Sequence, residues 1–180
     1  MLVQTNGHDA SLTSFVDSCG KPVSCWPSKL LPSTCVLVTR VTRHAQQLLC
    51  HLRSDNVCWG FLGGAQHIGE SIEDCAIREV EEESGLHVTL THLLCVDSDP
   101  RHGSINVYPD GHIVQYTCVS FAAEVLPTSP KTLRCSPESL ALRWCRLDQL
   151  PSPFLPVHRR RLQALLASTN PLLATSPASP

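Results

Sequence analysis

An α/β sandwich built on a mixed β-sheet is the fold class predicted for this chain. A helix with legible start and stop signals occupies residues 71–84, strand-like apolar runs recur on both sides of it, and a second helical segment follows near residues 157–166. At 180 residues, with 42% apolar composition and no second compositional block, the chain is long enough for one ordinary core.

Residues 1–33 read as a partly ordered N-terminal arm, punctuated by Gly20, Pro22, Pro27 and Pro32, with Phe15, Val16 and Trp26 as isolated anchors. The arm lacks a basic segment leading into an apolar one, and no run approaches the ~18 apolar residues of a membrane span. A soluble cytoplasmic protein without membrane contact is expected. The domain proper is expected over residues 34–166. It opens with two apolar runs, 35–38 and 48–52, that read as paired strands. Residues 53–56 turn the chain into Cys58-Trp59-Gly60-Phe61-Leu62-Gly63-Gly64.

The central helix begins at Ser71, which forms a capping pattern with Asp74, and stops before Gly85, a residue suited to the left-handed backbone of a helix end. Ile72, Ala76 and Val80 make one apolar stripe. Glu79, Glu82 and Glu83 fall on an adjacent stripe, where like charges repel by roughly 0.2–0.5 kcal/mol per pair. A hard divalent cation offsets such repulsion, since Mg²⁺ prefers carboxylate oxygen and bridges to phosphates. An acidic run on a helix is otherwise an ordinary solvated face; here Gly63-Gly64, Glu70, Arg78 and Gly85 surround it.

After the helix, residues 88–96 read as a strand and 97–111 as a loop rich in Asp, Pro, His and Gly. Residues 112–125 alternate as a long strand, 142–147 as another, and Glu138 stands in the loop between them. Residues 167–180 read as a flexible Ser/Thr/Pro-rich tail. The ten cysteines include no CxxC pair, and Cys35, Cys50, Cys95, Cys118 and Cys145 sit in apolar runs as small core residues with free thiols.

The net charge of −2 conceals an asymmetry, with −6 over residues 64–86 and +4 elsewhere. An acidic nest in a mildly basic body suits a phosphate-bearing substrate reached through a metal. His158-Arg159-Arg160-Arg161 hints at nucleic acid, but without interleaved aromatics it reads as a solvated helix face.

Read as a string, Gly64, five residues, Glu70, seven residues, Arg78-Glu79-Val80, one residue, Glu82-Glu83, one residue, Gly85-Leu86 resembles the Nudix box at every defining position. The resemblance covers residues 34–166 and implies a Nudix-type α/β/α sandwich in which the box is a loop, a helix and a loop. It implies Mg²⁺-dependent (or Mn²⁺-dependent) hydrolysis of a pyrophosphate bond in a nucleoside diphosphate linked to another moiety, such as ADP-ribose or a nucleoside triphosphate. Glu79, Glu82, Glu83 and the Gly63 carbonyl are then the expected metal ligands, Arg78 the orienting partner and Glu70 a supporting one. Glu138 is the outside candidate for general base. Relatives often carry Pro at Leu62, Glu at His67 and Glu at Ala141; the last departure removes one alternative base.

Arg53 is a candidate phosphate contact, set against a plain surface charge. Phe61 and Tyr116 are candidate base contacts, with core packing the default for Phe61. The expected partner is a small-molecule nucleotide, and related enzymes suggest a homodimer. Two other functions stay open: a 5′-end RNA pyrophosphohydrolase, and a Nudix-fold nucleotide sensor without catalysis.

Overall fold

A computed structural model describes residues 14–169 apart from residues 44 and 109. In chain order the elements are β1 (Lys29–Val41), β2 (Gln46–Arg53), β3 (Trp59–Gly60), α1 (Ile72–Ser84), β4 (Val88–Asp97), β5 (Ile105–Val107), β6 (Ile113–Val125), β7 (Ser139–Arg146) and α2 (Pro156–Thr169). The sheet runs β3-β2-β1-β6-β4, with β7 pairing β2 and β5 pairing β6. β1 and β6 are parallel and the other pairs antiparallel, so the sheet is mixed as expected.

Alternation along β1 explains the layers, because it sends apolar residues to both faces. Val36 and Val38 join Ala76 and Val80 under α1, whereas Cys35 and Leu37 join Leu162 and Leu165 under α2. The apolar stripe of α1 is thereby consumed, and full burial of a side chain such as Val80 contributes roughly 1.5–3 kcal/mol. Ser71 Oγ accepts the Asp74 N–H at 3.0 Å, and Gly85 ends the helix at φ 73°. The ten cysteines are all free, and Cys35, Cys50, Cys118 and Cys145 are buried in the α2-side core.

Two departures from the sequence reading lie at the ends. β1 starts at Lys29, ahead of the boundary expected at residue 34, because residues 29–34 pair in register with 114–119 of β6. Within the described part of the arm, Phe15 and Val23 pack against Ile105 in a small third cluster. The arm is tied there by Val16 N–H to the Pro100 carbonyl (3.0 Å) and Ser18 N–H to the Ile105 carbonyl (2.8 Å). Residues 1–13 of the expected arm and 170–180 of the expected tail lie outside the described residues. Among the described residues no helix is long and apolar enough to cross a membrane.

Candidate active site

The loop between β3 and α1 is sewn onto β1. Val36 N–H donates to the Leu62 carbonyl (2.7 Å) and Thr34 N–H to the Gly64 carbonyl (2.8 Å). Such close backbone approach explains the double glycine. Gly63 sits at φ 137°, where a Cβ would lie 2.3 Å from the Thr34 carbonyl oxygen. At Gly64 a Cβ would lie 2.5 Å from Glu79 Oε1, so the loop touches a carboxylate that the helix presents.

Arg78 organises that carboxylate stripe. Its Nε and Nη2 donate to the two oxygens of Glu70 at 3.0 and 2.7 Å, Nη1 donates to Glu79 (2.8 Å) and Glu82 (3.0 Å), and Nη2 also reaches the Ala65 carbonyl (3.2 Å). Only a planar fork reaches this many acceptors on two elements at once. The i,i+4 salt bridge from Arg78 to Glu82 is thus one contact of several. Arg78 holds the Glu70 carboxyl down, to about 2. Burial raises Glu79 above the usual carboxylate range despite the same arginine.

Glu83 lies deeper, 3% exposed, with Gly63 N–H donating to its Oε2 at 2.8 Å. Its Oε1 stands 3.4 Å from His51 Nδ1, whose own hydrogen bond goes to Ser139 Oγ at 3.1 Å, so Oε1 has no hydrogen-bond partner. Burial pushes Glu83 up to about 8 and His51 down to about 3. A buried carboxylate oxygen without a donor is costly unless a cation or a proton meets it.

A cavity of about 480 Å³ opens beside α1, within the range of small-ligand sites. Glu79, Glu82, Arg78, Glu138, Gly63, Arg53 and Tyr116 all stand in its wall. Glu83 is not in the wall. Glu138 immediately precedes β7, and the loop carrying it is fixed by Ser54 N–H donating to its carbonyl at 2.9 Å. Arg53 is held by both oxygens of Asp55 (2.9 and 2.7 Å), and Tyr116 shares a 2.7 Å hydrogen bond with the Tyr108 hydroxyl. Phe61 is 1% exposed, wedged between Phe154 and His158, and offers a cavity floor rather than an open stacking face.

The reading of residues 158–161 as a solvated face needs correction. Arg159 and Arg160 are exposed, but His158 and Arg161 are buried and line the cavity. They stand three apart on α2, on the side of Leu162 and Leu165 that packs on the sheet, so helical periodicity held the signal. His51 and Ser139 also escaped sequence reasoning. The signal for His51 was a lone titratable residue inside an apolar strand run.

Among the described residues no three His, Cys, Asp or Glu side chains converge as a ready metal cage. Mg²⁺ does not require one, since it is held by one or two carboxylates and completes its shell with water and phosphate. The unmatched Oε1 of Glu83 and the neighbouring Glu79 and Glu82 fit that donor chemistry.

The two buried groups predict an unusual pH profile for the metal-free protein. His51, lowered to about 3, is neutral when folded, so stability rises with pH from about 3 until its unfolded counterpart loses its proton near 6.5. Glu83, raised to about 8, holds its proton when folded, so stability falls with pH from 4.5 to about 8. The trends oppose each other between 4.5 and 6.5, leaving a net fall from 6.5 to about 8. Thermal melts in chelator should show that fall, and His51→Val should extend it down to 4.5. A flat profile above pH 6.5 would remove Glu83 as its source.

Known proteins resemble this chain in sequence and in fold. The sequence model of the NUDIX domain matches residues 29–165. A protein named putative 8-oxo-dGTP diphosphatase from Bacillus subtilis is 25% identical over 122 residues, covering 68% of this chain and 72% of that protein. Nucleoside triphosphatase NudI of Klebsiella pneumoniae is 38% identical over 71 residues, covering 36% of this chain and 48% of that protein. The fold of a MutT NUDIX hydrolase from Burkholderia pseudomallei superposes with a TM-score of 0.59 at 24% identity, covering 76% of this chain and 98% of the other.

Proposed function

This chain belongs to the NUDIX family, and from that premise we propose that it hydrolyses a phosphoanhydride bond in a nucleoside diphosphate linked to another group, with Mg²⁺ as cofactor. The observation that carries this reading is one cavity lined by Glu79 and Glu82, both held by Arg78, and by Glu138, with Glu83 buried behind Gly63. The same chemistry is in the names of its relatives, a diphosphatase and a nucleoside triphosphatase.

In this proposal Glu79, Glu82, Glu83 and the Gly63 carbonyl hold the cation. When bound, it neutralises phosphate oxygens and makes an attacking water more acidic. Arg78 keeps Glu79 and Glu82 at fixed positions although they repel, which spares the reorganisation a loose carboxylate pair would need. Glu70 anchors Arg78 from the loop side. Glu138 approaches from β7 and accepts the proton of the water. Arg53, pre-oriented by Asp55, meets a phosphate, and Tyr116 borders the nucleoside. Ten free thiols fit a reducing compartment and support cytoplasmic placement. The basic cluster that suggested an RNA groove is divided, with only Arg159 and Arg160 turned outward, which favours a small nucleotide.

Phosphate release in a phosphatase-coupled assay, with and without Mg²⁺, across nucleoside triphosphates, ADP-ribose and nucleoside diphosphate sugars tests the reading. Cation-dependent turnover of one class is expected; no turnover on any of them, with Mg²⁺ or Mn²⁺, would overturn it. Glu138→Gln should lower turnover about 10²-fold or more with metal affinity unchanged. A wild-type rate would return the base to the box helix.

A further inference from the structure

The wall of the same cavity also holds Arg161, His158 and Ser104, which have no role in that chemistry. Arg161 is 7% exposed, its Nε has no hydrogen-bond partner, and it makes no ion pair with a carboxylate among the described residues. The guanidinium is hydrogen-bonded to the Cys35 thiol and lies beside that of Cys118, both raised by burial and therefore uncharged, while Asp97 acts on it only from beyond ion-pair distance. His158, one turn earlier, accepts the Phe61 N–H on Nδ1 at 2.8 Å, so its proton is on Nε2. Close approach of that imidazole is possible because residue 60 is glycine, where a Cβ would lie 2.7 Å from Nδ1. Ser104, 4% exposed, contributes a hydroxyl without a partner.

This lobe therefore offers donors and lacks fixed acceptors of charge: a guanidinium fork, an imidazole N–H and a hydroxyl, all in the wall of one cavity. A buried donor set of this kind is satisfied by a ligand edge bearing adjacent acceptors. A purine with a 6-oxo group presents O6 and N7 side by side, the pair that an arginine fork grips in two parallel hydrogen bonds; adenine presents an amino donor in place of O6.

We propose that the Arg161 lobe is the base-recognition subsite of this chain and that it selects 6-oxopurine nucleotides, guanine or hypoxanthine, over adenine nucleotides. The proposal rests on the phosphoanhydride reading for the placement of the phosphates at the glutamates. It narrows the substrate from nucleoside diphosphate derivatives in general to those of guanosine or inosine. Arg161 is a specificity residue here, remote from the bond that breaks.

Calorimetry on the metal-free protein with GMP, IMP and AMP tests the subsite independently of turnover. Wild-type protein should bind GMP and IMP at least about tenfold more tightly than AMP, the discrimination expected of one bidentate pair. Arg161→Met should retain the fold, since an apolar side chain of similar length replaces a buried charge that no carboxylate pairs, and should erase the preference. Arg161→Lys keeps the charge without the fork and should erase it too; melting curves verify both variants. IMP binding like GMP assigns the contact to the O6/N7 edge rather than to the 2-amino group. Equal affinities for GMP and AMP, an equal loss of both in Arg161→Met, or competition by inorganic phosphate alone as effective as GMP would overturn the proposal. Nucleotide preference without hydrolysis of GTP would leave it standing while the hydrolase reading fell.

Discussion

Replacing Glu83 by glutamine is expected to lower Mg²⁺-dependent turnover about 10³-fold while leaving the metal-free protein folded and no less stable. A cation that neutralises transition-state charge is worth several kcal/mol, and each 1.4 kcal/mol is about tenfold in rate. Glutamine keeps an oxygen to accept the Gly63 N–H and is neutral without the proton that burial imposes on Glu83. Activity and stability thus move in different directions, which a purely structural glutamate would not produce. Steady-state kinetics and melting curves on one preparation decide the matter. Unchanged activity would take Glu83 out of the mechanism.

Gly63→Ala is expected to act on the fold itself, costing about 3 kcal/mol or more and abolishing measurable activity. The added Cβ meets the Thr34 carbonyl oxygen at 2.3 Å and Cys35 Cα at 2.9 Å, both backbone atoms of a buried strand that cannot step aside. The residue also occupies φ 137°, a region alanine rarely enters. Relief requires pulling the loop from β1, which breaks the Val36 and Thr34 hydrogen bonds and moves the N–H that holds Glu83. Chemical denaturation should show the loss; a variant within 1 kcal/mol of wild type, about fivefold in the folding constant, would mean the loop is looser than its hydrogen bonds imply.

The legible part of this chain was local. Ser71 and Gly85 bounded α1 because a cap and a left-handed stop are written within a few residues of the helix they end. The pairing of Arg78 with Glu70 was implied by the resemblance of the whole string to the Nudix box, itself a local pattern of twenty-three residues. What escaped depended on contacts between distant segments. His51 meets Ser139 only because β2 pairs with β7 and Glu83 only because α1 packs on that face of β2, and Arg161 meets Cys35 and Cys118 only because α2 lies across β1 and β6. A basic tetrad reads as solvent-facing until the direction of each side chain is known. Helix α2 turned two of its four cationic-capable residues inward, and those two reach the cavity.

The parallel partnership of β1 with β6 also orders events during synthesis. Lys29 pairs with Val114 and Thr39 with Glu124, so β1 waits through the emergence of all the intervening chain before its partner exists. Closing so large a loop is entropically slow. Helix α1, with its own caps, has local reasons to form sooner, carrying the acidic stripe before the inner strand beneath it is fully paired. Until residue 125 has left the ribosome, the edge of β1 that pairs with β6 is open, and the face that carries Cys35 and Leu37 stays uncovered until α2 follows. A nascent chain halted before residue 125 should bind chaperones through this edge and face, and one that has also released α2 should bind through neither.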